Sequence, residues 1–208
     1  MNENIIKFYL ITNKLKEKIR TGWMNVNISS DRLESVAEHV YGCLMLAIAI
    51  DSEYDLDVDM YKVLKMLALH ELEETIIKDY TVRDKITREE KLEQGRASVK
   101  MVTEGLIAQN EIEDLLEEYN AHESKESVFC YHIDKIECDF QAKIYDLNGY
   151  FSKEEALKDR AFHEEEYRAK IENINNASDV WIEYDKRLYK DDNLFKNLIE
   201  DIQKIDKK

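Results

Sequence analysis

The 208-residue chain contains no proline and only five glycines. Without proline the commonest helix breaker is gone, so long helices joined by short polar turns are the natural reading and an all-β fold is unfavoured. Cysteine is scarce too. Cys43, Cys130 and Cys138 are odd in number and form no CxxC pair, which excludes a disulfide framework and fits reduced core residues of a cytoplasmic protein. No apolar run approaches ~18 residues, and residues 1–9 lack a cleavable signal pattern, so a soluble intracellular protein is expected. Positive charge is short as well. Thirty basic against 45 acidic residues leave a formal net charge of −15, which argues against a general nucleic-acid binder. A small phosphorylated ligand stays admissible, because a metal and one Arg or Lys can reverse the local field.

What the chain has in plenty is helical periodicity. A first amphipathic helix is expected over about 2–19, with Ile5, Ile6, Tyr9, Leu10 and Leu15 as its apolar face. Residues 20–34, with Gly22 and several Ser/Asn turn formers, read as an extended loop carrying an exposed Trp23. Ser35 begins a second helix, as cap or first-turn residue, that runs to about Ile50, its stripe Val36, Val40, Cys43, Ala47 and Ile50, with His39 on the edge. After the polar stretch DSEYDLDVD, a helix at roughly 59–77 carries His70. Further helices are expected over about 88–108, 111–120 and 124–147, the last ended by Asn148-Gly149, then over 153–175 and 179–205. No repeat, linker or second domain is visible, so 1–208 reads as one all-α domain.

Val63, Leu64, Leu67, His70, Glu71 and Glu74 lie three, four or seven apart, on one helical face that turns from aliphatic to ionisable halfway along. Ionisable groups seldom face inward unless a cation, a substrate or a partner charge satisfies them. Alone, a histidine on a helix edge is ordinarily structural, and Asp134-Lys135 could be an exposed pair. Together Glu38-His39, His70-Glu71, Glu74, Asp79 and Asp134 read as one buried metal site. Mixed imidazole and carboxylate donors suit Mn, Fe, Co or Zn; all-oxygen sites favour Mg or Ca.

The order His39 … His70-Glu71 … Asp134 resembles the H…HD…D signature of the HD-domain metal-dependent phosphohydrolases. More narrowly, RTGWMNVNISSDRLESVAEHVYG, ALHELEETIIKD and HIDKIECDFQAK resemble the 5′-deoxynucleotidase branch, called YfbR-like or HD domain-containing protein 2-like. The match spans about residues 15–147. It implies an all-α HD-domain bundle with a central metal site and a C-terminal helical extension over 153–205. It also implies a divalent metal (Mn, Co, Fe or Zn) on His39, His70, Glu71 and Asp134. Glu74 and Asp79 fall on the acids of the HDxxExxxxD pattern, which act near the attacking water and the leaving sugar oxygen. Arg20 and Trp23 fall in the loop that contacts the nucleotide, and Glu38 stands where it can orient His39.

The activity so implied is hydrolysis of (deoxy)nucleoside 5′-monophosphates; the alternatives are another nucleotide substrate, or a degenerate HD protein that binds without turnover. Related bundles are often dimers, and the apolar stretch Trp181–Ile202 could serve either an intrachain pack or a homodimer face. One residue departs from the pattern. Glu71 stands where the family has aspartate, and its carboxylate reaches about 1.5 Å further, so the cation could shift, the helix could move, or metal could be lost.

Overall fold

The computed structural model describes residues 2–81, 84–157, 171 and 174–206. Among them there is no β-strand, only an isolated antiparallel bridge between Ile19 and Ser35. The chain divides into two compact units, Met1–Arg20 with Glu34–Ile133, and Thr21–Leu33 with Asp134–Lys208.

The first unit contains α1 (Asn2–Thr12), a 3-10 turn (Asn13–Lys16), α3 (Val36–Glu53), α4 (Met60–Leu69), a second 3-10 turn (Leu72–Thr75), α5 (Arg88–Thr103), α6 (Gln109–Ala121) and the start of α7 (Lys125–Leu147). Polar caps set the helix starts. The Ser35 and Thr87 hydroxyls accept from the N–H groups of Glu38 and Glu90, whose carboxylates accept in return, and Asp59 accepts from the Lys62 N–H. Leu72, Val99, Val102, Ile112 and Leu116 form one core cluster of this unit, joined by Phe8 and Ile11 of α1. This corrects the expected face of α1. Ile5, Ile6, Tyr9 and Leu10 are exposed, while the inward stripe is Phe8, Ile11 and Leu15, spaced three and four. At Gly95 α5 lies against the Glu73 carboxylate, where any Cβ would clash.

The helix expected over 59–77 stops at Leu69; Glu71 leaves helical geometry (φ −103°, ψ 16°) and a tighter turn follows. A long-range contact holds the segment that follows. The Lys18 ammonium donates to the carbonyls of Glu74, at 2.5 Å, and Ile77, so these carbonyls are satisfied without a continued helix.

The second unit holds α2 (Thr21–Asn25), the rest of α7, α8 (Lys153–Ala156), α9 (Ala177–Asp185), a 3-10 turn (Lys186–Tyr189) and α10 (Asn193–Gln203). Trp23, Val26 and Ile28 join Ala142, Tyr145, Phe151 and Val180 in its core, with Trp181 packed on them. Gly149, at φ +75°, ends α7. Most of the helix expected over 153–175 lies outside the described residues. Trp181 stacks beside Trp23 at 5.5 Å, and Ile182, Tyr189, Phe195, Ile199 and Ile202 are buried, so the Trp181–Ile202 stretch serves intrachain packing. No helix among the described residues is long and apolar enough to cross a membrane.

Candidate metal centre

Two backbone devices fix the first histidine. The capping box at Ser35 sets the first turn of α3, and residues 18–20 run antiparallel to 34–36. There the Val36 N–H donates to the Lys18 carbonyl (2.8 Å) and the Arg20 N–H to the Glu34 carbonyl (3.0 Å). His39, expected on the helix edge, is fully buried. Glu38 Oε2 accepts from the Ser35 N–H and hydroxyl, both at 2.9 Å.

His70 follows the last residue of α4, with its Nδ1 2.7 Å from the Leu67 carbonyl. A carbonyl only accepts, so Nδ1 carries the proton and Nε2 presents its lone pair. That lone pair faces Nε2 of His39 across 3.3 Å. Only a shared proton or a cation makes such an approach favourable. Glu71 Oε1 lies 3.7 Å from both of these nitrogens, so the longer side chain still reaches the pair. The ligand atoms of His39, His70 and Glu71 all lie within 4.8 Å of one another. Two imidazoles and a carboxylate, buried and convergent, are a donor set that fits a borderline divalent metal.

Charge around the set is arranged in layers. The Arg20 guanidinium lies 3.4 Å from Glu71 Oε1. Glu74 is buried, and its Oε2 accepts no hydrogen bond, although Lys18 Nζ stands 3.9 Å away. Burial, then the negative charges of Glu71 and Asp79, push the Glu74 carboxyl up to about 10, with Lys18 and Arg20 opposing. Burial thus favours the protonated form of Glu74 in the metal-free protein. Asp79 lies beyond the 3-10 turn, half-buried.

Two expected residues fall in the second unit. Asp134 directly follows Ile133 in the unbroken α7; it is 5% exposed, with Lys135 Nζ at 2.8 Å. Trp23, expected to be exposed, is only 2% exposed and packs edge-on to Tyr145 at 5.3 Å. Residues 21–25 form a helical turn and not an extended loop, and the turn directs the indole into the core. Two further residues of the first unit stand beside these groups. Lys18 braces the Glu74 turn, and Cys43 lies against His39.

The HD domain family model matches residues 12–177. The 5′-deoxynucleotidase HDDC2 of Dictyostelium discoideum is 33% identical over 150 residues, covering 69% of this chain and 78% of that one. Its namesake from Danio rerio is 31% identical over 147 residues, 69% and 70% of the two chains. Among solved structures, a conserved hypothetical protein from Pyrococcus furiosus superposes with a TM-score of 0.66 at 24% identity, covering 96% of this chain and 99% of that one. A protein described as a predicted metal-dependent phosphohydrolase, from Magnetospirillum magnetotacticum, gives 0.60 at 19%, over 98% and 95%. At these identities the two structures speak for the fold.

Proposed function

This chain belongs to the HD-domain family, and from that premise we propose that it is a metal-dependent 5′-nucleotidase. Its substrates are nucleoside 5′-monophosphates, deoxy ones foremost, hydrolysed to nucleoside and phosphate. The observation that carries this reading is the pair of facing imidazole Nε2 atoms, 3.3 Å apart and buried, with the Glu71 carboxylate 3.7 Å from each.

His39, His70 and Glu71 hold the metal, and Asp134 completes the set from the next residue of the helix that Ile133 shares with the first unit. When bound, the divalent ion supplies a water of lowered pKa and charge for the phosphoryl oxygens. Glu74, whose carboxyl is pushed up by burial, gives its proton to the departing 5′ oxygen as the phosphorus–oxygen bond breaks. Asp79 orients the attacking water. Arg20, now against Glu71, offers its guanidinium to the phosphate. Trp23 acts on the substrate only through the segment it anchors. Positioning supplies most of the rate, because the protein contributes little covalent chemistry. We further propose that residues 1–208 unfold as one domain and that the protein is a homodimer, tested by a single thermal transition and by light scattering.

The test is elemental analysis of the purified protein with phosphate release from a panel of nucleotides. Bound divalent metal with release from monophosphates is expected. Metal without release from any monophosphate would transfer the reading to another nucleotide or to binding without turnover.

A further inference from the structure

Resting on the homodimer proposed above, we infer that the two copies meet through the outward face of α3, helix against helix about a two-fold axis near Met45. On its inward side α3 buries Val36, His39, Cys43, Ala47 and Ile50. Tyr41, Met45 and Ile48, spaced four and three along the opposite side, are 64%, 41% and 47% exposed. From Val40 to Ile50 the helix holds no charged residue, in a chain of which 36% is charged. A helix that is apolar all round is ordinarily covered all round. Here the fold covers one side, and three large apolar side chains are left in water on the other.

Charge and area say what covers them. Each copy carries a formal net charge of −15, so two copies repel overall and close best on a face free of charge. The outward side of α3 is such a face. A standard dimer buries about 800 Å² per copy. Tyr54, directly after α3, and Tyr61, in the first turn of α4, are exposed beside the C-terminal end of the stripe. With Tyr41, Met45 and Ile48 they make five large side chains, each offering on the order of 100–150 Å², which is most of the area required. Tyrosine and methionine are also residues in which interfaces are rich. A two-fold axis near Met45 makes the face self-complementary: Met45 meets its own copy, and Tyr41 meets the partner's Ile48. The helix that carries His39 is then held from both sides.

The rival apolar face, on α1, is less suited. Ile5, Ile6, Tyr9 and Leu10 are exposed there, but the Lys16 ammonium lies 5.7 Å over the Tyr9 ring. Contact at that face would bury a charge.

The test is light scattering over a dilution series of full-length wild type, Met45→Asp and Tyr9→Asp. Wild type should weigh twice the 24.7 kDa chain. Met45→Asp sets two carboxylates against each other at the axis and should raise the dissociation constant at least about hundredfold, with an unchanged circular dichroism spectrum. Tyr9→Asp should stay dimeric. A second measurement leaves the charge of the face intact. Met45→Cys, with Cys43, Cys130 and Cys138 buried, should be joined to its copy by a short bismaleimide, and Tyr9→Cys should not. A folded Met45→Asp protein as dimeric as wild type, or crosslinking of Tyr9→Cys in place of Met45→Cys, would overturn the α3 interface and leave the homodimer standing. A monomeric wild type would overturn both.

Discussion

Each unit buries a carboxylate oxygen that accepts no hydrogen bond, Glu74 Oε2 in the first and Asp139 Oδ1 in the second. Both carboxyls are pushed up, and in both the chief cause is burial. Their surroundings differ. Glu74 has Glu71 and Asp79 on one side and Lys18 and Arg20 on the other, and it follows His70 and Glu71 by one turn. Asp139 is shut in completely, with the Tyr189 hydroxyl donating to its Oδ2 at 3.4 Å and Asp185 raising it further. A buried acid set among opposed charges next to a donor cluster is equipped to move a proton. One sealed beneath a tyrosine is a cost to folding that leaves the chemistry alone.

Glu74→Gln should break the comparison most visibly. Metal and substrate binding should persist while turnover falls by about 10²–10⁴-fold, the range of general acid–base catalysis; loss of metal instead would make Glu74 a ligand. Arg20→Ala should weaken nucleotide monophosphate binding by about 1.5–3 kcal/mol, as a charged hydrogen bond does, read as a rise in KM. An unchanged KM would remove Arg20 from the substrate clamp.

Asp139→Asn should leave turnover intact and raise stability at pH 7 by about 1–3 kcal/mol, the cost of a buried unsatisfied group. The sign follows from its raised pKa. Below the ordinary value of 3.8 both folded and unfolded states hold the proton; as pH rises past it, only the unfolded chain ionises freely, so wild type loses stability. Chemical denaturation at pH 4 and pH 7 should show the variant's advantage growing with pH. The smallest effect is expected for Ser35→Ala, about 1 kcal/mol of stability from the lost cap, with a slight weakening of metal binding through α3. A variant as stable as wild type would show that the cap does not hold His39.

The sequence announced the elements that local chemistry determines. Ser35, expected as cap or first-turn residue, is the cap, and α7 at Lys125–Leu147 differs by one residue from the periodic stretch 124–147. What stayed hidden depends on distant partners. The turn after His70 is held by the Lys18 ammonium, 56 residues before Glu74. Trp23 reads as a loop residue until Tyr145 and Trp181 enclose it. In α7, Ile144 is exposed while Lys143 is buried, because its ammonium reaches the Gln203 carbonyl at 2.9 Å and Asp179 at 3.4 Å. That His39, His70 and Glu71 come together was legible by motif, but the full burial of His39 was not, since the apolar stripe of α3 leaves it at an edge.

The central claim, that His39 and His70 converge to hold a metal, is tested most directly by equilibrium titration of Mn(II) and Co(II) into the metal-free wild-type protein, His39→Ala and His70→Ala, with circular dichroism to verify that each variant is folded. One ion per wild-type chain and none in either folded variant is the predicted result. Undiminished binding in either folded variant, or no binding by wild type, would contradict it.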